Sequence, residues 1–403
     1  MRSAKLSLVL RQLRDQGPRS RATLAAELGL TRSAASALVA ELVELGLVRP
    51  AGLSRGGMGR PGTTVELDGA AVCGIGAEIN AGHVATIALD LAGAVVAEHR
   101  VPLDVSRSSV DEVLDRTAEL VARTDADVAV AGAATVGLTV GVAGLLDRPR
   151  EVLTLGPNLR WRDVAVGTEL RGRLAAAYPV AIENEGNLAA LAEAVPGDPD
   201  RRDVLVLFGE SGVGGGIVAD GRLLRGHQGY AGEFGHMIVE PGGRRCGCGR
   251  IGCWETVTGL RALLDAAADP DDPLRDPALP LEERLAEVNR RADLGDTRTL
   301  AALDRVAGWV GVGAAILANA LNPGVIVLGG YFAEVGDRLR PAIEEHLLAG
   351  VPAPQAGGAR VELSTLGFAA ARRGGALAAL DAVFDDPTTV AAPRRAALAG
   401  GAT

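Results

Sequence analysis

Apolar positions recur at helical spacing over Leu6, Val9, Leu10 and Leu13 and stop at Gly17-Pro18, the pattern of a first helix with a hard end. Ser20 stands where a second helix, Arg21 to Leu28, needs an N-cap, and Gly29 closes it. Thr31 then caps a third helix running to Leu45, with Gly46 as its stop. Leu38, Leu42 and Leu45 form an inward stripe on that third helix, which leaves Arg32, Ser33, Ser36 and Ala37 facing out near its start. Two short helices about a Gly-containing turn, the second opening on small and polar residues, predict a helix-turn-helix whose recognition helix reads base edges in the major groove. Alternating apolar runs, Leu47-Val48-Arg49 and Thr63 to Leu67, flank a Gly/Arg-rich tip at residues 54–62 and predict a β-hairpin wing. Arg55 and Arg60 on that tip are placed to enter a minor groove or hold phosphates. Residues 1–68 are thus expected to form a winged helix-turn-helix DNA-binding domain, the alternative being a three-helix protein-interaction module whose arginines are only solvated.

Beyond residue 72 the period changes. Val72 to Ile79, Val84 to Leu89 and Val95 to Val101 read as three strands. Further strands are expected at Val128-Ala-Val130, Leu138 to Val142, Val180 to Ile182, Val204 to Phe208, Gly216 to Val218 and Val325 to Leu328. Helical stretches such as Val110 to Arg123, Leu188 to Ala194 and Arg305 to Ala320 lie between them. Strands in threes followed by strand–helix alternation predict an α/β body of two lobes with a cleft between them. The expected division is 72–187 for a first lobe completed by a C-terminal helix near 368–385, 188–367 for a second lobe, and a disordered tail at 386–403.

Charge separates the same two parts. Residues 1–62 carry ten basic side chains against four acidic ones, a net +6, so the remainder holds −15 of the overall −9. A small basic module on an acidic body is the balance expected when one end meets a polyanion. Aromatics are 3% of the chain, so its cores must be built from Ala, Val and Leu. No stretch of the sequence reads as a membrane span or a signal h-region, and a cytoplasmic location is expected.

Three of the four cysteines fall within eight residues, Cys246-Gly-Cys248-Gly-Arg-Ile-Gly-Cys253, with His236 ten residues upstream and Glu255 two beyond. Three thiolates and an imidazole suit a closed, tetrahedral, structural zinc site, and interleaved glycines let a tight loop bring the sulfurs together. A disulfide is the alternative, disfavoured where thiols stay reduced. The fourth cysteine, Cys73, lies in an apolar run and is expected to be buried and inert. Trp254 is expected to pack the loop rather than stack on a ligand.

On these segments the chain resembles the ROK family of bacterial sugar kinases and sugar-responsive transcriptional repressors, and within it the repressor branch of the xylose-repressor and N-acetylglucosamine-repressor type. The resemblance runs from about Leu6 to Asp385. It rests on Glu233-x-Gly-His236 with the cysteine cluster and Glu255, on Ile182-Glu-Asn184-Glu185-x-Asn187, on Gly212 to Gly216, and on Asn322 to Gly330. It implies an actin/hexokinase-like (ribonuclease H-like) body with a sugar in the cleft and zinc holding the loop beside it. Carried over by position, the sugar contacts are Asn158, Asn184, Glu185, Glu233, His236 and Glu255. Carboxylates and amides grip hydroxyls well, since each hydroxyl both donates and accepts. His236 would give one ring nitrogen to the metal and turn the other to the sugar.

The family's kinases carry an Asp-x-Gly-Gly-Thr turn for the ATP phosphates; here it reads Glu78-Ile-Asn80-Ala81-Gly82-His83. Their second phosphate loop corresponds to Glu210-Ser211-Gly212, and their catalytic aspartate to Glu185, one methylene longer. Phosphates need open backbone N–H groups, and phosphoryl transfer depends on positioning. The expectation is therefore no enzyme. It is a sugar-responsive repressor of carbohydrate-utilisation genes that binds operator DNA and a monosaccharide and acts as a homodimer or homotetramer, its glycine run a tight turn leading into a strand. An active sugar kinase with a fused DNA-binding module is the alternative, and a body serving only as an oligomerisation scaffold is another.

Overall fold

The structure is a computed structural model that describes residues 2–53, 63–195, 197–352 and 358–390. The front module comprises α1 (Arg2–Gln16), β1 (Arg19–Ser20), α2 (Arg21–Glu27), α3 (Arg32–Glu44), β2 (Val48–Leu53) and β3 (Thr63–Leu67). The Ser20 hydroxyl accepts the Thr23 N–H and the Thr31 hydroxyl accepts the Ala34 N–H, at 3.1 and 3.2 Å, which fixes where α2 and α3 begin. The three strands pair antiparallel in the order β1-β3-β2, giving a winged helix-turn-helix. The wing tip with Arg55 and Arg60 lies outside the described residues.

The first lobe holds β4 (Val72–Asn80), β5 (His83–Asp90), β6 (Val95–Pro102), α4 (Val110–Val130) and β7 (Ala134–Val142). A small sheet follows, made of β8 (Leu145–Asp147), β9 (Val152–Gly156) and β10 (Trp161–Val164); then come α5 (Val166–Arg173), β11 (Val180–Asn184) and α6 (Glu185–Glu193). The second lobe holds β12 (Val204–Gly209), β13 (Val213–Ala219), β14 (Arg222–Leu223), α7 (Glu255–Thr258), α8 (Leu260–Ala267), α9 (Leu281–Asp293), α10 (Thr297–Leu321), β15 (Val325–Gly330), α11 (Tyr331–Glu334), α12 (Gly336–Gly350) and β16 (Arg360–Leu363). The final helix, α13 (Ala370–Asp385), returns to the first lobe.

Both large sheets have one topology. The first runs β11-β7-β4-β5-β6 and the second β16-β15-β12-β13-β14. In each, an antiparallel meander of three strands is extended by two parallel strands on the far side of the first. This is the duplicated ribonuclease H-like plan. The two halves meet through α6 and α13, which cross so closely that a Cβ on Gly374 would lie 1.8 Å from the Leu188 carbonyl oxygen. Only glycine allows that approach.

Several expectations change. Val128-Ala-Val130 is the last turn of α4, not a strand, because Val128 continues the buried stripe of Val113, Thr117, Leu120 and Thr124. Gly214, Gly215 and Gly216 lie within β13 rather than in a turn before it. A division at 187/188 would cut α6, which packs on both sheets. Asp386 to Val390 are ordered: Asp386 caps a turn at Pro387–Thr389 and Val390 is buried against the front module, so they are not part of the tail. Helix α10 is long and apolar enough to cross a membrane by length and composition, contrary to the first reading. Its inner face, including Val306, Val310, Ala314 and Leu317, is buried in the second lobe's core, as a core helix would be.

Candidate functional site

The cleft between the lobes encloses about 690 Å³ up to its open mouth. Asn80 and Ala81 at the end of β4, Asn184 and Glu185 at the head of α6, Glu210 to Gly215 in the β12–β13 turn and the start of β13, and Glu233, His236 and Glu255 all line it. Asn158, from the loop before β10, joins them. All six residues carried over as sugar contacts therefore face one cavity, although the chain separates the first from the last by 97 positions. Gly212 lies where they converge: a Cβ there would stand 2.7 Å from Glu255 Oε2 and 2.9 Å from Asn158 Nδ2.

Asn184 has a double task. Its Oδ1 caps α6 by accepting the Asn187 N–H at 3.1 Å, and its Nδ2 donates to the Gly144 carbonyl at 3.0 Å. One amide hydrogen and one lone pair are left for a ligand. The neighbouring Asn187 is fully buried and donates to Glu183, which locks the head of the helix.

At the inner end of the cleft the side chains read differently from a phosphate cradle. Asn80 Nδ2 donates to Glu210 Oε2 at 3.0 Å and to Glu185 Oε2 at 3.4 Å, tying the first hairpin to both. His83 is buried between two carboxylates, with Nδ1 3.9 Å from Glu210 and Nε2 3.9 Å from Glu78. Glu78 is fully buried and paired with Arg372 of α13 at 3.4 Å; Arg372 also bonds Glu98 at 2.6 Å. Burial alone would raise Glu78, but the facing His83 and Arg372 hold it below the usual carboxylate range. Burial and the Glu78 charge push Glu185 and Glu210 up to about 8. Burial and Glu255 push Glu233 up to about 7.

Arg372 escaped the sequence reading. Its only sign is a basic pair, Arg372-Arg373, in an otherwise Ala/Gly-rich helix, and its partner lies 294 positions away.

His236 ends a 3-10 turn at Phe234–His236, and the three cysteines follow on a loop closed by the bridges Ile238↔Cys253 and Arg245↔Ile251. The ligand atoms of His236, Cys246, Cys248 and Cys253 all lie within 4.8 Å of one another. His236 Nδ1 is 3.6 Å from Cys246 Sγ, and Cys248 Sγ is 3.7 Å from Cys253 Sγ. Four ligands on arms of about 2.3 Å stand about 3.75 Å apart at the corners of a tetrahedron, whereas a disulfide needs about 2.05 Å. All four cysteines are free, so the donor set fits a metal ion. The other histidine nitrogen, Nε2, faces Glu233 at 3.9 Å, and Glu255 contacts Cys246 at 2.7 Å. The cluster and the cleft thus share a wall.

Trp254 is fully buried and donates to the Trp309 carbonyl at 2.7 Å, a packing role. Cys73 is fully buried, and burial with the nearby Asp90 pushes its thiol up to about 12, so it is inert near neutrality. On the front module, Arg32, Ser33, Ser36 and Ala37 are all exposed at the start of α3, away from the buried Ala35, Leu38 and Leu42.

A family model described as the ROK family matches residues 74–382, and one described as the MarR family matches residues 7–55. Among curated proteins, the glucokinase of Halalkalibacterium halodurans is 35% identical over 248 residues, covering 60% of this chain and 74% of that one. The xylose repressor of Bacillus subtilis is 27% identical over 322 residues, covering 80% of each. A solved ROK family transcriptional regulator, described as a homolog of the E. coli MLC protein, superposes with a TM-score of 0.74 at 24% identity. That likeness covers 95% of this chain and 97% of the other, and it concerns the fold.

Proposed function

Because the chain belongs to the ROK family, we propose that it is a sugar-responsive DNA-binding repressor of carbohydrate-utilisation genes, in which a monosaccharide held between the lobes alters operator affinity. The observation that carries this reading is the joining of a winged helix-turn-helix with an exposed, polar recognition face to a two-lobed body that retains a carboxylate- and amide-lined cleft. Arg32, Ser33, Ser36 and Ala37 would meet the major groove, with Arg55 and Arg60 of the wing beside them. Asn158, Asn184, Glu185, Glu233, His236 and Glu255 would hold the sugar hydroxyls. Two copies would place two modules on a pseudo-palindromic operator, as a homodimer or as half of a homotetramer. The setting is cytoplasmic, where DNA and sugar meet.

His236, Cys246, Cys248 and Cys253 would hold a zinc ion, which supplies no reaction and cross-links the loop carrying Glu255. His236 orients the cleft wall by presenting Nε2 toward Glu233.

The body is proposed to have lost phosphoryl transfer. Asn80 and Ala81 stand where the kinase turn offers glycines and Gly82 where it offers a hydroxyl, and Glu210 would put a carboxylate beside the place of the phosphates. Arg372 neutralises Glu78, which leaves less charge to hold a magnesium ion. The identity to a glucokinase favours the second reading, an active kinase with a fused reader.

The experiment measures binding of the recombinant protein to its own upstream DNA by fluorescence anisotropy, with a panel of pentoses and hexoses, and ATP turnover alongside. A sugar that changes operator affinity without turnover supports the proposal. Sugar-stimulated ADP release establishes the kinase reading instead.

A further inference from the structure

Away from the cleft, the hairpin β8–β9 of the first lobe meets the segment 225–229 of the second around a separate cavity of about 800 Å³ up to its open mouth. Arg148 and Glu151 line it from the hairpin, Ile182 from β11, and Arg225, His227 and Gly229 from the segment. The two sides touch: a Cβ on Gly229 would lie 3.4 Å from the Leu146 carbonyl oxygen and 4.0 Å from Arg148 Cβ.

Arg148 and Arg225 share one acid. Glu183 is buried, and its Oε1 accepts the Asn184 N–H at 3.1 Å and Asn187 Nδ2 at 3.0 Å. Its Oε2 accepts Arg225 Nε at 2.8 Å and faces Arg148 Nε at 3.4 Å. These donors fill the roughly four lone-pair sites of a carboxylate. Neither guanidinium has another hydrogen-bond or ion-pair partner among the described residues, so the Nη edges of both are left over. The other charges nearby cancel in pairs, Glu151 with Arg171 and Asp147 with Arg150. Two guanidiniums against one carboxylate leave a net charge of +1.

The backbone supplies an independent sign. Residues 226–229 donate none of their N–H groups to a described backbone acceptor. Gly226 and Gly229 have φ of +72° and +90°, and turns containing left-handed residues are where free N–H groups form anion-binding concavities. His227 is exposed on the same segment and adds a ring donor. A cation would be repelled here, and a neutral hydroxyl would leave the charge unbalanced. A carboxylate has two oxygens and fills one fork. A phosphate group has the oxygens and the charge to serve both forks at once.

We propose that this cavity is a phosphate-binding site, in which one phosphate group bridges Arg148 of the first lobe and Arg225 of the second. The group is inorganic phosphate or a phosphate monoester, one chemistry from two sources. The site lies outside the sugar cleft and stands whether or not a sugar binds there.

The test titrates the full chain with inorganic phosphate, glycerol 3-phosphate and a hexose 6-phosphate by calorimetry and thermal shift at about pH 7.5, where a phosphate monoester is a dianion. Sodium chloride at matched ionic strength is the control. At least one phosphate should raise the melting temperature in a concentration-dependent way that chloride does not reproduce. R148Q and R225Q should each weaken its binding about tenfold, the size of one charge-assisted contact. R150Q, which removes an exposed neighbouring charge, should change it by less than about twofold. R148Q alone carries the test if R225Q does not fold, because Arg148 is exposed. An ester that binds more tightly than inorganic phosphate, with the same dependence on Arg148, identifies the monoester as the source; equal binding identifies the free ion. No phosphate binding beyond chloride, or an equal loss in R150Q and R148Q, overturns the proposal.

Discussion

Replacing Phe384 with alanine tests how the body speaks to the reader. Phe384 ends α13 and is buried in one cluster with Leu6, Leu10 and Leu13 of α1 and with Leu89 and Leu91 of the first lobe. The Arg14 guanidinium lies 4.8 Å from its ring centroid. Ion pairs from Arg11 to Asp385 at 2.5 Å and from Arg14 to Asp381 at 3.6 Å flank it. A buried Phe→Ala change costs about 3–5 kcal/mol. Here the lower end applies, because Phe384 also borders a large cavity shared by α1, α13 and the second lobe, which water can fill. Losing the cation–π contact adds about 0.5–1 kcal/mol. The seam therefore loses roughly 3–4 kcal/mol, on the order of several hundredfold in the docking equilibrium. The module's own core, centred on Leu24, Val39, Leu42 and Val65, is left in place. By anisotropy, the effector should still bind F384A within about twofold of the unaltered protein, but its effect on operator affinity should shrink at least about fivefold. If F384A keeps the full effector response, the signal does not cross this seam and the reasoning is wrong.

Other outcomes follow from the same geometry. Glu185 and Glu210 have folded pKa values raised to about 8, so their stabilising contribution is complete below the ordinary carboxylate range and is lost as pH rises through about 8. The unliganded protein should melt progressively lower between pH 5 and 8.5, with a slope of up to about 1.4 kcal/mol per pH unit for each group, and E210Q should flatten that curve. C248S should reduce the metal content, measured by elemental analysis, from about one zinc per chain to near zero and lower the melting temperature by several degrees; unchanged zinc would remove Cys248 from the ligand set. R32A should weaken operator binding by about 1–3 kcal/mol with an unchanged melting temperature, because the side chain is exposed.

What could be read in advance was what is decided locally. Ser20, Thr31, Gly29 and Gly46 fix the ends of two helices by their own chemistry, so the front module was legible residue by residue. The candidate metal cluster was legible because three of its four side chains lie within eight positions. Gly214 to Gly216 misled because glycine signals a turn only when backbone freedom is what the site requires. Here the requirement is space: a Cβ on Gly216 would lie 2.5 Å from the Gly186 carbonyl, where α6 crosses β13. The small sheet β8–β10 was missed because its strands are three to five residues long and interrupted by positive φ at Glu151, Arg160 and Asp163. The proposed sugar contacts came only from the family resemblance, since they gather from four segments that topology alone brings together.

The same topology explains how one cleft can serve either a catalyst or a sensor. At its inner end the lobes are tied by polar groups, Asn80 to Glu210 and Arg100 to Glu282; at the opposite side they share α6 and α13, packed too tightly at Gly374 to slide. A ligand seated on Glu185 touches the first turn of α6, α6 bears on α13, and α13 is the floor under α1. Two of these three joints are close-packed helix contacts, which transmit displacement rather than absorb it. The polar tie is the adjustable element: a buried amide–carboxylate contact is worth about 1–3 kcal/mol, the size of a typical coupling free energy between two sites. A ligand that takes Asn80's place on Glu185 or Glu210 releases that tie while adding its own bonds across the cleft. On the proposed reading, the sensor works with the side chains that would close a phosphate seat, so that losing nucleotide chemistry and gaining a two-state response would be one structural change.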